Sequence, residues 1–514
     1  MTLFGYQSSE LGADRDETAD VCVVGSGCGG ATLAHVLAEA GKKVVILERG
    51  GAYTRVDFDQ REEDMLAKID GGRGLDASDD LSVQLTYGNN VGGASVHYWA
   101  DSYRTPPDRL KLWQESYGIE GHDQAKLDPY FERLEKDLNV HLPEPQYWNK
   151  MNLLVEQGAK ALGWTGHPVP QARKFCQKSG YCMQGCAYDA KQSQLVTHIP
   201  RALVAGAILY ADTEAWKLER SGGRVTSLTA RVIDRARNKP MGPLLRVKAK
   251  AYVLAAGGYG TPVFLLRNGF QRELPAVGQY TICNPCPMVH AVFDEEIIQF
   301  RNIPAAFGVE HFRLAKTDGA SYREGGYLLM PNQLQPATLA AVLPGIGERH
   351  RALMRSLRRL GGTIAWIDDV DFGSISLDGE RPKYKVPIDG QNGLRIRDAL
   401  KKQARLLLTV GAKEILFGDL RDTRITRLDQ IDAAVGALDL GPGRLVLAAP
   451  HPAGGARMGR DPKTSVVGFD HRVHGTDNLF VADPSVFPNG PSVDPSLTIM
   501  AFSYVAAEHV AKVV

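Results

Sequence analysis

Three groups of residues in this chain have types and spacings suited to chemistry. The first is Gly25-Ser-Gly27-Cys-Gly-Gly30, a G-x-G-x-x-G run, with Glu48 further along. The first glycine of such a run permits a sharp turn. The second lets the backbone approach a pyrophosphate, and the third lets a helix pack close to a strand. A helix opening there offers free N–H groups to a diphosphate. Glu48 falls where a ribose hydroxyl would be met, and its charge selects against a 2′-phosphate, hence against NADP. The second group is Cys176, Cys182 and Cys186, spaced C-x5-C-x3-C in a turn-rich stretch. Three thiolates have the number for a three-iron centre, but the spacing is no common ferredoxin or zinc run, and buried free thiols are the other reading. Cys283 and Cys286 have C-x-x-C spacing with no matching second pair for zinc. Pro285 and Pro287 do not favour the helix a redox pair opens, so these two read as structural. The third group is in the tail: His451 before Pro452 and Gly454-Gly455, Asp483 after an apolar run, and Asp494-Pro495.

The elements that must position these groups follow from the apolar pattern. Val21 to Val24 and Val44 to Leu47 read as strands. Leu33, Val36, Leu37 and Ala40 fall at helical spacing, with Gly41 as a stop. Strand, glycine turn, helix and strand make a dinucleotide-binding unit, and Glu48 ends its second strand. Residues 57–80 are charged and glycine-rich and read as an excursion over the surface. Residues 83–104 combine Gly88, Gly92 and Gly93 with Tyr87, His97, Tyr98 and Trp99. That mixture suits either a backbone laid against a flat ring or a turn beside an aromatic cluster. A helix is predicted over Leu127–Leu138, with Pro129 in its first turn. Val247 to Leu254 reads as a strand ending in Ala255-Ala256-Gly257-Gly258. Thr261-Pro262 then opens a helix, a second backbone approach to the same nucleotide. A hairpin is predicted over 373–386. An amphipathic helix is predicted over 392–411, with Leu394, Ile396, Leu400, Ala404 and Leu407 on one side. The run Asn478 to Ala482 reads as a last strand of the nucleotide sheet. It places Asp483 at the carboxyl end, where open α/β sheets bind ligands, and a helix follows from Ser496.

Composition narrows the function classes. A chain of 514 residues has room for two to four folding units. The net charge is +1 at pH 7, so no basic field points to nucleic acid. The first 20 residues are polar and acidic and do not read as a secretory signal, and no apolar run is long enough to span a bilayer. Seven cysteines in a chain of this size do not make a disulfide framework. A cytoplasmic location is expected, or a periplasmic one through a partner subunit.

Taken together, these stretches resemble the glucose–methanol–choline flavoprotein oxidoreductases. The resemblance rests on Gly25-Ser-Gly27-Cys-Gly-Gly30 with Glu48, Val91-Gly92-Gly93-Ala-Ser95-Val-His97 and Ala255-Ala256-Gly257. It continues in His451-Pro-Ala-Gly-Gly455, in Asp483-Pro-Ser-Val-Phe-Pro488 and in Asp494-Pro-Ser-Leu-Thr498. Within the family the chain is similar to bacterial glucose dehydrogenase catalytic subunits and long-chain alcohol oxidases. Those share Cys-x5-Cys-x3-Cys followed by Ala190-Lys191-Gln-Ser193. The resemblance implies an α/β FAD-binding Rossmann-like domain (15–105, 176–289 and 441–514). With it goes an α+β substrate domain built on an antiparallel sheet (106–175 and 290–440).

The implied cofactor is FAD, and the implied reaction oxidises a C–OH group of a sugar, glycoside or other alcohol to a carbonyl. A base takes the hydroxyl proton while hydride passes to flavin N5. His451 is the implied base, an imidazole being suited by its ordinary pKa. Asp494 stands where the family usually has Asn or His, unless the register is shifted and Asn489 takes that place. The implied cofactor contacts are Gly25, Gly27, Gly30, Glu48, Arg49, Gly92, Gly93, Ser95, His97, Ala256, Asp483 and Pro495. His97 matches a position where some members bond FAD covalently and others do not. In the glucose dehydrogenase subunits, cysteines spaced like Cys176, Cys182 and Cys186 hold a [3Fe-4S] cluster that passes electrons to a partner cytochrome. The competing expectations are an oxidase that releases hydrogen peroxide and a lyase that keeps flavin only as structure.

Overall fold

The computed structural model describes residues 5–514. A mixed sheet holds the nucleotide unit. Its strands are β1 (Arg15–Val24), β2 (Val44–Leu47), β3 (Ile208–Tyr210), β4 (Thr213–Ser221), β5 (Arg224–Asp234) and β6 (Lys239–Leu254), in the order β3-β2-β1-β6-β5-β4. The β1–β2, β2–β3 and β1–β6 pairs are parallel, with Val21 beside Val44 and Ala251. The strand Leu479–Val481 joins β6 in parallel, Leu254 opposite Val481. Val21–Val24 and Val44–Leu47 are buried on both faces, as central parallel strands covered by helices should be. Helix α1 (Cys28–Glu39) covers one side and packs against the C-terminal helix Ser496–Ala511.

The second sheet is antiparallel: β7 (Cys286–Val292), β8 (Tyr327–Pro331), β9 (Leu360–Ile367) and β10 (Glu414–Phe417), ordered β8-β9-β7-β10. Side chains alternate across a strand, and here the alternation divides two cores. Ala365 and Ile367 of β9, with Val289 and Ala291 of β7, join the cluster that contains Ile396, Leu400 and Leu407 of helix α2 (Gly390–Thr409). Ile364 and Trp366, with Cys286 and Met288, face the other way, into a cluster with Trp99 and Tyr103. No helix among the described residues is long and apolar enough to cross a membrane.

The parallel nucleotide unit, the hairpin at Gly373–Asp378 and Arg381–Lys385, and the helix from Ser496 form as the sequence pattern predicts. Several boundaries differ. The helix predicted from Leu127 begins at Gln124, because the Asp123 side chain accepts from Lys126 N and caps it. Pro129 is therefore interior rather than in the first turn. The helix after β6 (Gly257–Arg267) opens at Gly257, so Pro262 also lies inside it. Leu394 is exposed, on the rim of α2 rather than its packed face. The stretch 57–80 is not only surface: Glu62–Ile69 is a helix that buries Met65 and Ile69.

Candidate active site

The tail carries His451 to the face of the antiparallel sheet that bears Trp366. The strand Leu447–Ala449 pairs with Cys286–Pro287 of β7 and, in parallel, with Gln84–Leu85. His451 follows at once, and its N–H donates to the Cys283 carbonyl (3.4 Å). The ring lies 5.0 Å from the Trp366 ring. Its Nε2 is 3.3 Å from Asp494 Oδ1, with both side chains largely buried. His451 Nδ1 and Asp494 Oδ2 are buried and have no hydrogen-bond partner among the described residues. A buried polar atom left unpaired is costly, so such atoms mark places where a ligand completes the bonding. Asn489, the other residue considered for this place, has its Oδ1 taken up by Trp113 Nε1 (2.5 Å).

The stretch after Gly93 converges on the same place. Trp99 stands 5.9 Å from Trp366, ring to ring. Ser496 Oγ donates to the Asp101 carbonyl (3.3 Å), and the Thr105 and Thr498 hydroxyls are 2.6 Å apart. Burial, and then the Asp494 charge, hold the Asp101 carboxyl well above its ordinary range. His97 is buried, with Nε2 unpartnered among the described residues; burial and then the Lys191 charge pull it down to about 4. Asp369 accepts from Cys283 N (2.8 Å) and Asn284 N (3.3 Å), so it anchors the loop whose carbonyl receives the His451 N–H. Burial, only partly offset by the Cys283 N–H, pushes Asp369 up to about 7.

The glycine turn is defined by missing side chains. Gly25 has φ +99°, a left-handed conformation that glycine tolerates. A Cβ on Gly30 would lie 2.0 Å from the Gly25 carbonyl oxygen, and one on Gly93 would lie 2.7 Å from Gly27 Cα. Gly92 N donates to Ser26 Oγ (3.0 Å), so residues 92–93 rest on the turn. Glu48, buried, accepts from Ser26 N (3.0 Å), Ser26 Oγ (2.7 Å) and Gly50 N (2.8 Å). Burial raises its pKa in spite of those bonds. Asp483 Oδ2 accepts from Gly257 N (2.9 Å) and Thr261 Oγ1 (2.5 Å), which ties the end of Leu479–Val481 to the helix after β6, capped by Ala256. Ser95 Oγ donates to Gly92 O (2.6 Å), and Pro495 caps the C-terminal helix. Arg49 is taken up by Asn89 (3.0 Å) and Asn238 (3.1 Å), to one side of the turn.

Two profiles described as GMC oxidoreductase match the sequence, an N-terminal one over residues 23–286 and a C-terminal one over 373–503. The chain belongs to the GMC oxidoreductase family. An uncharacterized GMC-type oxidoreductase of Mycobacterium tuberculosis is 30% identical over 500 residues, covering 96% of this chain and 76% of that protein. The long-chain-alcohol oxidase FAO3 of Arabidopsis thaliana is 25% identical, covering 96% of this chain and 68% of that one. Among solved structures, pyridoxine 4-oxidase from Mesorbium loti superposes with a TM-score of 0.68 at 17% identity, covering 95% of this chain and 98% of that one. Formate oxidase of Aspergillus oryzae gives 0.71 at 15%, covering 97% and 99%. These last two show the fold.

As a GMC oxidoreductase, this chain is an FAD enzyme acting on CH–OH donors. Its residues fit that cofactor. The turn leaves no room for a Cβ at Gly30, and among the described residues His97 Nε2 after the glycine pair, and His451 Nδ1 and Asp494 Oδ2 in the tail, are buried without a partner. The iron–sulfur expectation finds no such fit. Among the described residues no group of three His, Cys, Asp or Glu side chains is arranged to hold a metal ion. Instead Arg173 reaches between two of the cysteines, with Nη1 3.3 Å from Cys182 Sγ and 3.9 Å from Cys176 Sγ. All seven cysteines are free. Trp366, Asp369, Arg173 and Asp101 went unmarked in the sequence because no local motif carries them. The sole local sign was Lys191, inside Ala190-Lys191-Gln-Ser193.

Proposed function

We propose that this GMC oxidoreductase oxidises a C–OH group of a sugar, glycoside or other alcohol to the carbonyl, with His451 as the base and Asp494 as its partner. The observation that carries the reading is the His451–Asp494 contact of 3.3 Å, with one polar atom of each residue buried and unpaired. An ionised Asp494 accepts the Nε2–H. That fixes the tautomer and leaves the Nδ1 lone pair for the substrate proton. The imidazolium then formed stays beside the carboxylate, which stabilises it. Asp494 Oδ2 remains free to accept a second hydroxyl hydrogen and orient the substrate. Bound FAD supplies the hydride acceptor, flavin N5. Gly25, Gly27, Gly30, Glu48, Arg49, Gly92, Gly93, Ser95, His97, Ala256, Asp483 and Pro495 are the residues we assign to the cofactor. Residues 15–105, 176–289 and 441–514 form its domain, and 106–175 with 290–440 the substrate side.

Dioxygen is the acceptor this reading favours. Relatives of this chain are named long-chain-alcohol oxidases, and Arg173 reaches Cys182 and Cys176. Anaerobic mixing of holoprotein with a panel of sugars, glycosides, sterols and long-chain alcohols tests the reaction. Bleaching of the flavin by one of them is expected, and its absence across the panel overturns the proposal in favour of the lyase reading. Peroxide release in air identifies the oxidase, while turnover with an artificial acceptor and no peroxide identifies the dehydrogenase.

A further inference from the structure

Two buried cations sit behind the segment Val96–Trp99. Lys191 and Arg173 are each 2% exposed. Lys191 Nζ donates to the carbonyls of Val96 (2.6 Å), Tyr98 (3.0 Å) and Cys182 (2.6 Å), which uses all three of its donors. Arg173 donates through Nη2 to the Trp99 carbonyl (2.5 Å), through Nε to Gln171 Oε1 (2.6 Å) and through Nη1 to Cys182 Sγ (3.3 Å). Three backbone carbonyls of four consecutive residues are thus held by two cations. Neutral carbonyls orient an ammonium but do not cancel its charge. Among the described residues no carboxylate lies within ion-pair distance of either cation. Cys182 and Cys176 act on Arg173 first and Asp101 after them, and burial drives Asp101 towards its neutral form. A buried charge without a carboxylate partner is costly to keep, and burial, only partly offset by Cys182 and Cys186, pulls Lys191 down to about 8. Its effect reaches the site, since Lys191 helps to depress His97.

We propose that Lys191 and Arg173 are positioning residues of the flavin site, which fix Val96–Trp99 through its carbonyls and whose charge, paired with no carboxylate, raises the reduction potential of the bound flavin. The inference rests on the assignment of Gly92–His97 to the cofactor. Reduction adds negative charge to the flavin ring, and a fixed positive potential in a low-dielectric site stabilises it. Asp494 acts in the opposite sense, as a carboxylate where the family usually has Asn or His. The two cations offset it.

The test is the two-electron potential of FAD-loaded protein, measured by equilibration with a reference dye, with iron assayed on the same sample. Lys191→Met removes one charge. Cys182→Asp removes none but sets a carboxylate against Arg173, so it carries the test should the first variant fail to fold. Each is expected to shift the reduction equilibrium at least about tenfold towards oxidised flavin, about 30 mV for a two-electron couple. Lys191→Arg should return it to within about threefold of wild type. A loaded Lys191→Met or Cys182→Asp protein at the wild-type potential overturns the proposal. Stoichiometric iron on the cysteines also overturns it, because a thiolate-bound cluster is the missing counter-charge. Wild-type protein that binds no FAD instead sinks the cofactor assignment beneath it.

Discussion

The glycine turn and the His451–Asp494 pair are built by opposite means. At Gly25, Gly29, Gly30 and Gly93 the chain removes side chains, so that strands, a helix and the Gly92–Gly93 segment meet with no space for a methyl group at those positions. At the pair it supplies side chains whose remaining atoms have no partner. One region is specified by shape and its tolerance is steric. The other is specified by chemistry, and it can lose function with its shape intact. The difference predicts two kinds of failure, and substitutions can separate them.

The largest effect should come from His451→Ala. FAD content is expected to match wild type, while the anaerobic flavin-reduction rate falls by roughly 10²–10⁴, the usual worth of a positioned base. If rate and flavin content fall together, the two regions are not separable and the comparison fails. Gly30→Ala should do the converse. Its Cβ would stand 2.0 Å from the Gly25 oxygen, and overpacking of this severity costs about 3 kcal/mol or more, roughly a hundredfold in the stability of the holo state. Measured as visible flavin absorbance per protein, FAD should be lost, and whatever fraction stays loaded should reduce at the wild-type rate. Asp494→Asn is smaller still. It keeps a hydrogen-bonding group beside Nε2 but exchanges a charge-assisted bond for a neutral one, a difference of about 1–1.5 kcal/mol or about tenfold in rate. FAD content should not change, and a loss above a thousandfold would make Asp494 a direct proton acceptor rather than the partner of His451.

The same contrast explains what was legible in the sequence. The turn lies within residues 21–48, where glycine spacing, two apolar runs and Glu48 are all local, and the structure reproduces them. The pair is assembled from segments near residues 283, 366, 451 and 494, brought together by β7, β9 and the tail. Family resemblance pointed to His451 and left Asp494 and Asn489 as rivals. No local pattern could divide them, because the contacts that distinguish them are long-range: Asp494 meets His451, while Asn489 accepts from Trp113, more than three hundred residues away. The cysteines show the reverse hazard. Their spacing invites a metal, while the long-range fact that matters is an arginine reaching two of them. The helices that hold Pro129 and Pro262 begin upstream of them, at Gln124 and Gly257, so proline alone does not mark their starts.

Asp369 yields the prediction with the least effect on turnover and the sharpest test of the catalytic half as an electrostatic structure. It touches no reacting atom and works through the Cys283–Asn284 backbone. In the fold its carboxyl is pushed up to about 7, whereas an unfolded chain gives about 3.9. Between those values the native protein keeps a proton that the unfolded chain has released. Stability from this group is therefore complete below about pH 4, declines as pH rises and is gone above about pH 7, with a slope of at most about 1.4 kcal/mol per pH unit. Asp369→Asn cannot titrate, so between pH 4.5 and 7.5 its denaturant midpoint should decline less than that of wild type. Both chains share every other carboxylate, so the difference between the two curves isolates this one. Turnover at pH 8 should change by less than about threefold, since the amide oxygen can still accept from the Cys283 N–H. Parallel midpoint curves would mean that Asp369 is ionised throughout, and that the loop beneath His451 is held by charge rather than by a protonated acid.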